Sequence, residues 1–142
     1  MLQHTHSGLR WLLLIFLILA IAGAWSKWSK KETYPSGKMP LLAFIFTHLQ
    51  LLFGFALYAT SPKVQFAAGV MKDSQLRFFT VEHISLMLIA IILITLGYMK
   101  AKKQAPEAQA HKTIFTYYLI GLIIMLISIP WPFRTALGAG WF

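Results

Sequence analysis

Residues 40–60 read PLLAFIFTHLQLLFGFALYAT, and this stretch decides the fold. No Asp, Glu, Lys or Arg interrupts it. At about 1.5 Å per residue, a helix of this length crosses a hydrocarbon core of roughly 30 Å. Runs 9–25, 78–99 and 113–131 have the same apolar character. Lipid offers no partner for a free backbone N–H or C=O, so each run is expected to be helical. The expectation is an all-α fold: a bundle of four transmembrane helices at about 9–25, 40–60, 78–99 and 113–131. Together they form a single integral membrane domain spanning 1–142.

Composition agrees with that stretch. Of 142 residues, 58% are hydrophobic and 12% charged, about half the charge of an ordinary soluble domain. So few charges would not cover a water-facing surface, and the lipid bilayer is the expected partner. The absence of cysteine excludes disulfides, thiolate metal sites, iron–sulfur clusters and haem attached through cysteine. The net charge of +9 comes mostly from lysines at the ends of the apolar runs. That placement is what membrane topology requires, and no nucleic-acid partner is expected.

Helix punctuation supports the four spans. Pro40 falls at a helix start, where a missing N–H costs nothing, while Pro130 and Pro132 close the last run and Pro106 marks the loop before it. Gly54, Gly97 and Gly121 lie inside spans, where small residues allow helices to approach, although glycine is common in membrane helices for other reasons. Ala22-Gly23-Ala24 resembles a signal-peptide cleavage site. No Lys or Arg precedes Arg10, however, and Lys27, Lys30 and Lys31 follow the run, so an uncleaved helix is expected.

Lysine counting gives an orientation. Lys27, Lys30, Lys31 and Lys38 flank one side of the first loop, and Lys100, Lys102, Lys103 and Lys112 the third. The opposite side has Arg10, Lys63, Lys72, Arg77 and Arg134. Eight against five places the lysine loops in the cytoplasm and both termini on the outer, periplasmic side. Trp11, Trp25, Trp28, Tyr58, Trp131 and Trp141 fall near the interfaces as an aromatic belt. Part of the 61–77 connection, with Val64, Phe66, Val70, Met71 and Leu76, is expected on the membrane surface, and the 135–142 tail is expected to rest there too.

Ionisable and polar groups inside a membrane are costly, which makes each a candidate for function. His48 falls inside the second run, His83 near the outer end of the third, and His4 and His6 just before the first. Glu82 is the one acid within a run, and His111 opens the fourth on the cytoplasmic side. Counting helical rise from the cytoplasmic ends puts His48 about 10 Å deep, His83 about 22 Å and His6 about 28 Å. Two axial ligands of a haem iron need similar depth, as neutral imidazoles. His6 with His83 meets that test best. His48 with His83 is offset by about 12 Å, which helix tilt would have to absorb.

Arg10, Arg77, Glu82, His83, Trp131 and Arg134 converge at the outer ends of helices one, three and four. Arginine forks there suit haem propionates. A quinone headgroup is the other candidate, with His83 or Glu82 exchanging its protons. The structural alternative is an interfacial ion-pair network that fixes helix packing. For His48, with Thr47 and Gln50 nearby, it is a hydrogen bond to a neighbouring helix. His111 reads as an interfacial cap beside Lys112, His4 as solvated, and Met87, Met99 and Met125 as packing. No Gly-rich phosphate loop, H-E-x-x-H pair or paired carboxylates occur, and the inverted repeats of many transporters are missing.

Four segments also carry a resemblance: HSGLRW at 6–11, FTHLQLLFG at 46–54, RFFTVEH at 77–83 and IPWPFR at 129–134. Together with the ALGAGWF tail they make the chain similar, over nearly its whole length, to short four-helix membrane proteins of Bacteroidota-type bacteria labelled cytochrome b or cytochrome b-like. The resemblance implies a b-type haem, a respiratory or quinone-linked role and a multi-pass protein of the bacterial inner membrane. It assigns no ligand. The expectation is an electron-transfer protein rather than a stand-alone enzyme, with His83, His6 and His48 as candidate iron ligands. Arg10, Arg77, Glu82 and Arg134 complete the cofactor-binding candidates. The alternatives are a cofactor-free accessory subunit among other membrane subunits, and a quinone- or lipid-binding protein.

Overall fold

The structure is a computed structural model describing residues 1–142. It is all-helical, and four helices are long and apolar enough to cross a membrane: α1 Leu2–Ser29, α2 Met39–Thr60, α3 Ser74–Gln104 and α4 Gln109–Ser128. Their outward faces carry large apolar side chains, including Ile15, Ile18, Leu52, Ile92 and Ile127, as a lipid-facing surface requires.

Local chemistry sets the boundaries. α1 begins seven residues before the apolar run starts, so His6 and Arg10 stand on helix, four apart and therefore on one face. It ends at Ser29, and two residues on Lys31 turns the chain with a φ of 53°, in the left-handed region. Pro40 sits in the first turn of α2, and Ser61, extended before Pro62, ends that helix. The Asp73 side chain caps α3 by accepting from the Leu76 N–H at 2.9 Å. α4 stops at Ser128, short of the expected 131, because Ile129 turns extended ahead of Pro130.

One feature of α3 has no counterpart in the expected span. Residues Phe78–Glu82 form a π-helical turn immediately before His83. The wider turn brings residues five apart together, and Arg77 Nε donates to Glu82 Oε1 at 2.7 Å. It also frees backbone for other partners. The Tyr58 hydroxyl donates to the Thr80 carbonyl at 2.7 Å, and the Gln65 N–H to Thr80 Oγ1 at 3.0 Å, tying α2 and the 61–73 connection to α3.

α3 and α4 share the most extensive interface, α1 packs on α2 and α4, and α2 meets α3 only briefly. Glycine sets the α3–α4 approach. A Cβ on Gly121 would lie 2.9 Å from Ile94 Cγ1, and one on Gly97 would collide with the Tyr117 side chain. Leu17, Ile94, Ile114 and Tyr118 fill the core between these helices. The thin α2–α3 seam leaves a cleft at one end of the bundle.

Both termini lie at that end. The 135–142 tail folds back over α1, where the Trp141 carbonyl accepts from Arg10 Nη2 at 2.5 Å and from Trp11 Nε1 at 3.2 Å. Trp11, Trp131 and Trp141 pack with ring centroids 6.1–6.3 Å apart. The eight remaining lysines of the two short loops and their flanks occupy the other end.

Candidate functional site

The cleft at the terminal end has a volume of about 170 Å³ and takes its walls from all four helices and the tail. α1 contributes His6 and Arg10, α2 contributes Thr47, Gln50 and Gly54, α3 contributes His83 and Met87, and Gly140 and Phe142 close it from the tail. Most of the lining is apolar, and its polar groups are few and convergent, the usual character of a ligand site.

His83 is held in one tautomer. Its Nδ1 lies 2.7 Å from the Ser128 carbonyl. A carbonyl only accepts, so Nδ1 carries the proton and donates. Ser128 is the last residue of α4, and its carbonyl has no partner within that helix. The C-terminus of one helix thereby orients a histidine on another. Nε2 keeps its lone pair, makes no hydrogen bond, and His83 lines the cleft.

His6 faces α2. The Gln50 side-chain amide donates from Nε2 to the His6 carbonyl at 2.8 Å and stands 3.3 Å from His6 Nε2. The carbonyl fixes which end of the amide is nitrogen, so His6 Nε2 accepts and the ring proton resides on Nδ1. His6 Nδ1 is buried without a partner, and so is Gln50 Oε1. The ring fits there because Gly54 has no side chain: a Cβ at that position would lie 3.3 Å from His6 Cε1.

Arg10 is buried, 8% exposed, with no carboxylate beside it. Its guanidinium lies 5.2 Å from the Trp11 ring centroid and 5.8 Å from that of Trp131. Nη2 is satisfied by the tail, whereas Nε is buried and unpartnered. The cleft therefore holds an uncompensated cation, two unmet donors at His6 Nδ1 and Arg10 Nε, and acceptors at Gln50 Oε1 and His83 Nε2. The three atoms buried without a partner are His6 Nδ1, Arg10 Nε and Gln50 Oε1, and buried polar atoms left so are uncommon.

Of the residues singled out from the sequence, the structure brings His6, Arg10 and His83 to one cleft. The remaining cofactor candidates, His48, Arg77, Glu82 and Arg134, lie outside its lining. Arg77 and Glu82 form the single ion pair of the structure, and Arg77 also donates to the Met71 carbonyl at 2.9 Å. Arg134 donates from Nη1 to the Ile127 and Ile129 carbonyls, each at 3.2 Å, and its guanidinium stacks over Phe78. It thus closes the end of α4. His48 has Nδ1 at 2.8 Å from the Phe44 carbonyl, and its Nε2 stands 3.2 Å from Thr95 Oγ1, whose one hydrogen also faces the Ile91 carbonyl at 2.7 Å.

Gln50, Gly54 and the Ser128 carbonyl are the groups that sequence reasoning did not place here. A signal was present for two of them. Thr47, Gln50 and Gly54 recur at helical spacing on one face of α2, whereas His48 is turned about 100° away from Thr47.

His83, His6 and Arg10 are the residues of the cleft that could hold a b-type haem. A neutral histidine with Nδ1–H on a carbonyl and Nε2 open is the usual form of a metal-ligating imidazole. Arg10 offers a cation to a propionate. His6 is the second ligand candidate, provided that its Nε2 exchanges the Gln50 amide for iron. Such a haem supplies reversible one-electron transfer. No group of three or more His, Cys, Asp or Glu side chains is placed to hold a bare metal ion. Comparisons with protein-family models, with curated proteins and with solved structures found no match.

Proposed function

We propose that this chain is a small membrane electron-transfer protein that holds a b-type haem in the terminal-end cleft. His83 and His6 would hold the iron, and Arg10 would receive a propionate. The observation that carries the reading is His83, its Nδ1 fixed on the Ser128 carbonyl and its Nε2 without a hydrogen bond, lining a cleft that also holds His6 and the buried Arg10. The resemblance of four segments to cytochrome b-like proteins supports a b-type haem and assigns none of its ligands. Lysine counting supports a position in a bacterial inner membrane with this end outward. A single haem there would exchange electrons with partners at the outer face, such as a quinone pool or a respiratory complex.

The test is an absorption spectrum of detergent-purified protein, oxidised and then reduced with dithionite. A sharp reduced α-band and a shifted Soret band are expected, both lost in His83→Ala. Colourless protein from haem-replete cells would sink the proposal. Co-purification of such protein with other membrane subunits would then favour an accessory role.

A second reading rests on a different observation. The seam between α2 and α3 is thin, so the cleft has a side wall through which a lipid-soluble molecule can enter from the bilayer. Arg10 Nε–H and His6 Nδ1–H match a quinone oxygen, and His83 Nε2 accepts from a quinol hydroxyl. Solvent extraction of the purified protein distinguishes the two: quinone without haem supports the second reading only.

A further inference from the structure

The lysine end carries a second cleft, of about 190 Å³, between the start of α2 and the end of α3. Tyr34, Lys38, Leu41 and Tyr98 are among its walls. The charge around it is strongly one-sided. Eight lysines stand at this end against Glu32 and Glu107, and neither acid forms an ion pair. Lys102 Nζ lies 5.8 Å from the Tyr98 ring centroid, and Lys27 Nζ reaches the Ser36 carbonyl beside the cleft.

α2 begins here without a side-chain cap and with no acid in its first turn. Its leading N–H groups and positive dipole end are therefore uncompensated. An independent feature points to a ligand. Tyr34 is only 6% exposed, yet its hydroxyl makes no hydrogen bond in a cleft it lines, whereas nearby Tyr118 donates to the Pro40 carbonyl at 2.8 Å. Burial, with Tyr98 beside it, pushes the Tyr34 hydroxyl up to about 12, so it remains an O–H donor. Helix N–H groups, ammonium groups and a phenol donor together form an anion site. Leu41 then opens onto the outward face of α2, where Ile45, Leu49 and Leu52 continue an exposed apolar stripe.

We infer that this cleft binds the phosphate of an anionic phospholipid from the leaflet at the lysine end, with an acyl chain along α2. The apolar wall that continues from the anion site favours a lipid over free phosphate, and the unpaired lysines favour an anionic headgroup over a zwitterionic one.

Thermal unfolding of the full chain in neutral detergent tests this, with dioleoyl-phosphatidylglycerol, dioleoyl-phosphatidylcholine or inorganic phosphate added at equal concentration. Phosphatidylglycerol is expected to raise Tm by several degrees, and the other two are expected to leave it unchanged. Tyr34→Phe combined with Lys38→Ala should at least halve that shift, while Lys31→Ala with Lys103→Ala, outside the lining, should preserve it. If circular dichroism shows the first pair misfolded, Lys38→Ala alone, at an exposed position, must reduce the shift. An equal phosphatidylglycerol shift in both pairs would reduce the effect to general charge attraction and overturn the site. Equal stabilisation by phosphatidylcholine would overturn the headgroup assignment, and full stabilisation by inorganic phosphate the lipid assignment.

Discussion

His48 and His83 stand on neighbouring helices and make the same first interaction. Each places Nδ1 on a backbone carbonyl, Phe44 at 2.8 Å for His48 and Ser128 at 2.7 Å for His83. They part at Nε2. In His48 that nitrogen meets Thr95 Oγ1 at 3.2 Å, while in His83 it is left open to a cleft. His48 uses the carbonyl four residues back on its own helix, so its ring lies along α2 and meets the facing hydroxyl on α3. His83 uses the terminal carbonyl of α4 and is drawn inward. The contrast teaches that an intramembrane histidine is defined by how many of its nitrogens the protein closes. Depth in the membrane and rarity of the residue do not separate the two.

The largest test of that contrast exchanges the two residues' fates. His83→Ala is expected to abolish the reduced α-band entirely, whereas His48→Leu should retain it at full occupancy. Equal loss in two folded variants would break the distinction. A smaller effect is expected at Arg10. Replacing a buried cation near the redox group disfavours the reduced, more negative form, so Arg10→Met should lower the midpoint potential by on the order of 50 mV. A potentiometric titration that finds the potential unchanged would remove Arg10 from the site.

Much of the fold was legible because bilayer thickness leaves so few choices. A charge-free run such as 40–60 has one stable form in lipid, and Pro40, Pro106 and Pro130 punctuate the runs. The candidate site was legible in part. Helical rise alone puts His6 and His83 at similar depth, and the structure places both in one cleft. The π turn at Phe78–Glu82 was not legible, since nothing in RFFTVEH differs in composition from an α-helical run. That turn is what pairs Arg77 with Glu82 and leaves both outside the cleft. The Ser128 carbonyl was equally hidden. A backbone acceptor has no side-chain signature, and its availability depends on α4 ending where it does. Arg10 Nη2 finds its acceptor only because the tail returns to α1, a long-range contact that no local pattern encodes.

Gly54 offers a finer test on the cleft side of the comparison. A methyl group there stands 3.3 Å from His6 Cε1, tighter than ordinary contact, so the imidazole must move toward the cleft or the helices must part. Gly54→Ala is expected to cost about 1 kcal/mol of cofactor binding, a severalfold loss of affinity, while His83 still supplies one ligand. Haem titration of stripped protein reads this directly, and unchanged affinity would mean that His6 is not held against α2 in the loaded protein.

The smallest effect belongs to the closed histidine. Thr95→Val keeps the shape of the side chain and removes the hydroxyl facing His48 Nε2. The same hydroxyl lies 2.7 Å from the Ile91 carbonyl, and its one hydrogen serves either that carbonyl or the imidazole, so its loss removes at most one interhelical hydrogen bond. Interhelical hydrogen bonds inside membranes are worth about 0.6 kcal/mol on average, so a slight fall in Tm is expected with the absorption spectrum unchanged. A changed absorption spectrum or midpoint potential in Thr95→Val would mean that His48 communicates with the cleft. The closed histidine would then be a member of the site, and the separation between the two residues would have to be given up.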